Sequence, residues 1–128
     1  MSEFSSALSI AASGMRSQTV RLSHVSENIA NADTPGYRRK LTSFEPDRHD
    51  VPGAVTTGPV RLDRTELPQV YDPSHPFADA SGYYNGSNVD LIVEIADARQ
   101  AQRSYEANMR VFDQVRQMSS SLNDLLRR

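Results

Sequence analysis

Helical patterns stand at the two opposite ends of this chain, and each carries an apolar stripe too narrow to bury itself. Near the start, Phe4, Leu8, Ala11, Met15, Leu22, Val25 and Ile29 recur at steps of three and four, and only Gln18 breaks the series. At the end, Leu91, Ile95, Ala98, Tyr105, Met109, Phe112, Val115, Met118, Leu122 and Leu125 do the same. Such a stripe is what one helix presents to another in a coiled coil or bundle. The segment between them reads as loops and short strands. The pattern predicts a mainly α fold, with long N- and C-terminal helices paired as a coiled-coil-like hairpin around an irregular, short-β middle. The two ends, 1–30 and 89–128, form one discontinuous helical unit, and 31–88 forms an outer or bracing segment.

The first helix is expected from about Ser2, as its cap, to Ala30. Five serines in its first half weaken it, because serine competes for backbone hydrogen bonds. Gly14 costs about 1 kcal/mol relative to alanine, so either close packing or simple tolerance accounts for it. Asn31, Thr34, Pro35, Gly36 and Tyr37 supply the stop. Proline and glycine fall at the central positions of a type II turn, where fixed φ and positive φ are wanted. Short strands are expected within 51–60 and 67–71. The second helix opens after Ser87 or Asn88 as cap, with Asp90 favouring its dipole, and runs to about Leu126.

Composition narrows the function. Only 38% of residues are hydrophobic and mean hydropathy is −0.57, so little apolar content is left for a core beyond the stripes. A formal charge of −2 gives no electrostatic footprint for nucleic acid. Zero cysteines exclude disulfides and thiolate chemistry. No segment approaches the roughly 18 apolar residues of a membrane span, and the N-terminus lacks the basic cluster and long apolar run of a cleaved export signal.

Candidate chemistry is sparse. Asp72, His75 and Asp79 are the one cluster with metal-ligating residue types. The competing account is that prolines shape this loop and its polar groups bond the backbone. The second is preferred, because a closed zinc site takes about four ligands. Arg38, Arg39 and Lys40 could hold phosphate, but short basic runs are more often surface or interface charge. No nucleophile elbow or phosphate loop is present. No cofactor is expected, and the chain reads as a non-enzyme.

The run from Ser26 through Asn28, Asn31, Thr34, Pro35, Gly36 and Tyr37 to Arg38 resembles the signature of bacterial flagellar basal-body rod proteins. Asp72-Pro73-Ser74-His75-Pro76 is similar to a proximal-rod branch, as are Asn88-Val89 and Tyr105-Glu106-Ala107-Asn108. The sibling FlgB has a similar size and N-terminal signature, and the Asp-Pro-Ser-His-Pro loop separates the two. Ser87 stands where the family usually has proline, and Arg116 where it usually has lysine. The resemblance implies a torque-transmitting rod subunit that polymerises through its terminal helices and pairs with itself and with FlgB-, FlgF- and FlgG-like subunits. It also implies type III flagellar export without a cleaved signal, a place in the rod on the periplasmic side, and ring contacts left open. The alternative of a different class is a soluble helical adaptor that closes as a dimer.

Overall fold

The computed structural model describes residues 2–128, Ser2 by its backbone alone, so the expected Ser2 side-chain cap lies outside what is described. Two helices dominate: α1 (Ser2–Ala30) and α2 (Leu91–Leu126). Asn28 faces Glu94, Arg21 faces Asp97 and Gly14 lies against Asn108, so the two run antiparallel as a hairpin. At 29 and 36 residues they span about 43 and 54 Å respectively.

The cap of α2 differs from expectation. Asp90, and neither Ser87 nor Asn88, takes the N-cap position, and its carboxylate accepts the Ile92 N–H at 3.0 Å. Ser87 and Asn88 are used elsewhere. The Ser87 hydroxyl donates to the Ala32 carbonyl, and Asn88 holds the strand that follows α1. All three residue types suit a cap. Tertiary partners decide which one is free to serve.

Six short strands occupy the middle, in three antiparallel pairs: β1 (Lys40–Leu41) with β4 (Arg61–Leu62), β2 (Phe44–Pro46) with β3 (Val55–Thr57), and β5 (Gln69–Tyr71) with β6 (Tyr83–Asn85). The first two pairs form one long bent arm, joined by Gly58 N–H to Ser43 O and flanked by Asp63 N–H to Arg39 O. Between them Thr42 and Ser43 oppose Gly58, Pro59 and Val60, so the ladder bulges where Pro59 has no N–H to give. Expected strand 51–60 shrinks to its 55–57 core, because a turn with Gly53 at φ +96° precedes it.

Two-stranded ladders are marginal alone. Here they are anchored to the helices. The Ser13 hydroxyl accepts the Val55 N–H at 3.0 Å, and Ser17 donates to the Val55 carbonyl at 3.5 Å. Two of the serines that weaken α1 in isolation are therefore what fastens the arm to it.

The centre of the hairpin is small and polar. Among the described residues, those buried in α1 are Ala11, Ser13, Ser17, Val25 and Asn28, and those in α2 are Glu94 and Ala101. Gly14 has a packing reason: a Cβ there would stand 2.7–2.8 Å from side-chain atoms of Asn108.

Candidate assembly surface and the polar node behind it

The stretch that ends α1 folds into a node of satisfied polar groups. Asn28 is fully buried and uses all four of its hydrogen-bonding positions. Its amide donates to the Lys40 carbonyl at 3.1 Å and to Glu94 Oε2 at 3.2 Å. Its Oδ1 accepts from the Tyr37 hydroxyl and from the Lys40 N–H, both at 2.8 Å. Glu94, also fully buried, accepts Arg39 Nε at 2.6 Å. Arg39 lies 3.6 Å from Asp63, and its backbone N–H donates to Asn88 Oδ1 at 2.7 Å. Asn88 in turn donates to the Asp63 carbonyl. One cluster thus joins the end of α1, the arm, the segment before α2 and the first turns of α2.

Charge follows these contacts. Burial works to lower the pKa of Arg39, but Glu94 and then Asp63 outweigh it and hold the guanidinium above its usual value. The Thr65 hydroxyl and N–H, together with Arg39, pull Asp63 below the carboxylate range. Burial raises the Tyr37 phenol. Lys40 pairs with Glu27, which lowers the carboxyl and raises the amine. Arg38 donates to the Asp63 and Thr65 carbonyls. The basic run of 38–40 is therefore committed to partners within the chain.

The turn takes its expected form. Tyr37 N–H reaches the Thr34 carbonyl at 3.2 Å and Gly36 has φ +75°. Gly36 N–H also donates to the Asn85 carbonyl at 3.0 Å, which ties the turn to β6.

The loop 72–79 folds on itself. Asp72 Oδ1 accepts the Ser74 N–H and hydroxyl, His75 Nδ1 accepts the Phe77 N–H, and Asp79 Oδ1 accepts the Ser81 and Tyr83 N–H groups. His75 stacks on Tyr84 at 4.0 Å between ring centres. Among the described residues no group of three or more His, Cys, Asp or Glu side chains is placed to hold a metal. Pro73 packs beside Gly82, whose φ is +87°, and Pro76 is exposed beside Phe77, itself 71% exposed.

The stripe residues flank the polar seam more than they fill it. Of those named from sequence, Ala11 and Val25 are buried. Phe4, Leu8, Met15, Leu22, Tyr105, Phe112 and Val115 are half-buried along its edges. Ile29, Leu91, Ile95, Met109, Met118, Leu122 and Leu125 are exposed, Leu125 at 63%. Two grooves result. One lies between the helices, lined by Leu22, Tyr105 and Met109 with Thr19, Gln102 and Glu106. The other starts at Phe4 and continues along Met118, Leu122 and Leu125, where α2 runs on past the beginning of α1. Ile92, 80% exposed, and Val93 add to this surface without belonging to either stripe.

Sequence reading missed Glu94 and Ala101 as the inward residues of α2. The signal was present, because Glu94 and Ala101 are seven apart and Ala101 and Asn108 seven again. A search for large apolar side chains passes over such a small and polar seam.

Comparison with known proteins agrees with these features. Residues 8–38 match the model described as "Flagella basal body rod protein", and 80–125 match "Flagellar basal body rod FlgEFG protein C-terminal". The chain is 43% identical to the flagellar basal-body rod protein FlgC of Agrobacterium fabrum, covering 99% of the chain and 98% of that protein. It is 36% identical to FlgC of Salmonella typhimurium, over 85% and 87% of the two, and 32% identical to FlgC of Bacillus subtilis, over 80% and 84%. The first matched region contains Asn28, Gly36 and Tyr37, and the second contains Glu94, Ala101 and Asn108, the two halves of the node and seam.

Proposed function

The chain belongs to the flagellar basal-body rod protein family, and we infer that its exposed helical stripes are the surfaces through which it polymerises. It is a structural subunit of the rod, and the near full-length similarity to FlgC proteins favours that branch over FlgB. The observation that carries the inference is the exposure of Leu91, Ile95, Met109, Met118, Leu122 and Leu125 on a helix whose inner face is already satisfied. Each large apolar side chain buried on assembly contributes roughly 1.5–3 kcal/mol. Several together can offset the ordering of the helix ends. A face on one copy that meets a different face on the next extends as a helix and does not close, which is what a rod requires.

In this account residues 1–30 and 89–128 form the inner helical layer, and 31–88 braces it from outside. The node sets the angle between the two. The subunit has no catalytic role and needs no cofactor. It contacts its own copies and FlgB-, FlgF- and FlgG-like subunits, and passes through the flagellar type III apparatus without a cleaved signal to the periplasmic side of the envelope. The test is replacement in a flagellated host deleted for its own copy. The intact chain should restore rods and swimming, and a chain carrying Met118→Gln, Leu122→Gln and Leu125→Gln should accumulate yet build no rod. Full swimming with the triple variant would overturn the assignment of the stripe.

A further inference from the structure

Asn85-Gly86 is the single Asn-Gly pair in the sequence. In an unfolded chain this pair is chemically labile, because glycine offers no side chain to shield its nitrogen from the neighbouring amide. The Gly86 nitrogen loses its proton to hydroxide and attacks Asn85 Cγ. A C–N bond forms, the bond to the side-chain nitrogen breaks, and ammonia leaves. Water then opens the five-membered imide at either carbonyl to give aspartate or isoaspartate, so one water is taken up and one ammonia is released.

The fold opposes that reaction through the backbone and the attacking nitrogen. Asn85 is the last residue of β6, paired with Gln69, and an extended backbone turns the following nitrogen away from the residue's own side chain. Gly86 is buried, and its N–H donates to the Pro68 carbonyl at 2.8 Å, so the attacking nitrogen is occupied. Val70 and Pro68 pack closely against Gly86. The Gln69 amide donates to Asn85 Oδ1, which fixes the side-chain rotamer without shielding Cγ.

The same atoms hold up the site described above. The Asn85 carbonyl receives the Gly36 N–H of the type II turn, and Gly86 leads directly to Ser87 and Asn88. An isoaspartate at 85 routes the backbone through the former side chain and adds one methylene before Gly86. That displaces the carbonyl from Gly36 and shifts the approach to α2.

We propose that Asn85-Gly86 is a modification site controlled by folding: silent in the folded subunit, reactive in the unfolded chain, and disabling to later folding once isoaspartate forms. The inference stands on the fold and is independent of the family reading.

The test follows isoaspartate at residue 85 by peptide mapping, in the native chain and in urea, with a short peptide spanning 83–88 correcting for solvent effects. Hydrogen exchange of the Gly86 amide is measured on the same native sample. If reaction needs local opening, the native rate should fall by the same factor as that exchange, tenfold for about every 1.4 kcal/mol of opening free energy. Isoaspartate-bearing chains should refold to a smaller fraction than unmodified ones, whereas Asn85→Asp, which leaves the backbone unchanged, should refold normally. Equal native and urea rates, or a Gly86 amide that exchanges freely, would overturn the protection. Full refolding of the isoaspartate chain would overturn its consequence.

Discussion

Asn28 and Glu94, 66 residues apart and both without measurable exposure, share a hydrogen bond of 3.2 Å at the place where the two halves of the chain meet. A buried carboxylate is tolerated only when paired and hydrogen-bonded, and here Arg39 supplies the charge and Asn28 the remaining donor. Replacing Asn28 by alanine leaves Glu94, the Tyr37 hydroxyl and the Lys40 N–H each short of a partner. The expected loss is about 3 kcal/mol, checked by urea unfolding. A loss below 1 kcal/mol would mean that the node is incidental to stability.

Gly14 and Asn108 should be energetically coupled. Gly14→Ala drives a Cβ to within 2.7 Å of the Asn108 amide, which must then give up its bond to the Ser104 carbonyl. The variant should be destabilised by about 1 kcal/mol despite the better helix propensity of alanine. In an Asn108→Ala background the same change should be neutral or stabilising. A double-mutant cycle without coupling would remove the contact.

Gly36 has open space around it, so its substitutions test backbone conformation alone. With φ at +75°, asparagine should be tolerated best, alanine should cost about 1 kcal/mol, and valine about 2 kcal/mol or more. Rods should fail to assemble with Gly36→Val. Equal melting temperatures across the series, or normal rods with valine, would contradict the turn.

Acid should loosen the structure in a defined window. Folding depresses the carboxyls of Asp63 and Glu27, so their contribution is present above the usual carboxylate range and is lost as pH falls below about 4. Folding raises Tyr37 and Lys40, so their contributions are complete at neutral pH and are lost only as pH rises past about 10. Asp63→Asn should blunt the acid limb specifically, and an unchanged acid limb in that variant would remove Asp63 from the account.

The elements that periodicity governs were legible from sequence. Helix limits at Ala30 and Leu126 and the turn at Pro35-Gly36 needed only spacing and local backbone preference. What was not legible depended on distant partners. β2 exists because β3 lies beside it, and Phe44-Glu45-Pro46 has no strand signature of its own. Ala11 and Val25 of the inward face stood in the stripe, but Gly14, Ser13, Ala101 and Glu94 were hidden by being small or polar. The large apolar residues that drew the eye turned out to flank it or to face outward, which is why they speak to assembly more than to the subunit's own core.

The central claim is that the stripe beyond the node is completed by other subunits. Backbone hydrogen exchange resolved along the chain, on dilute subunit and on assembled rods, tests it most directly. Amides near Asn28, Glu94 and Ala101 should be protected in both samples, and those from Met118 to Leu126 should exchange almost freely when dilute and slow sharply in rods. Strong protection of 118–126 in dilute, monodisperse protein would contradict the account and favour a self-contained helical adaptor.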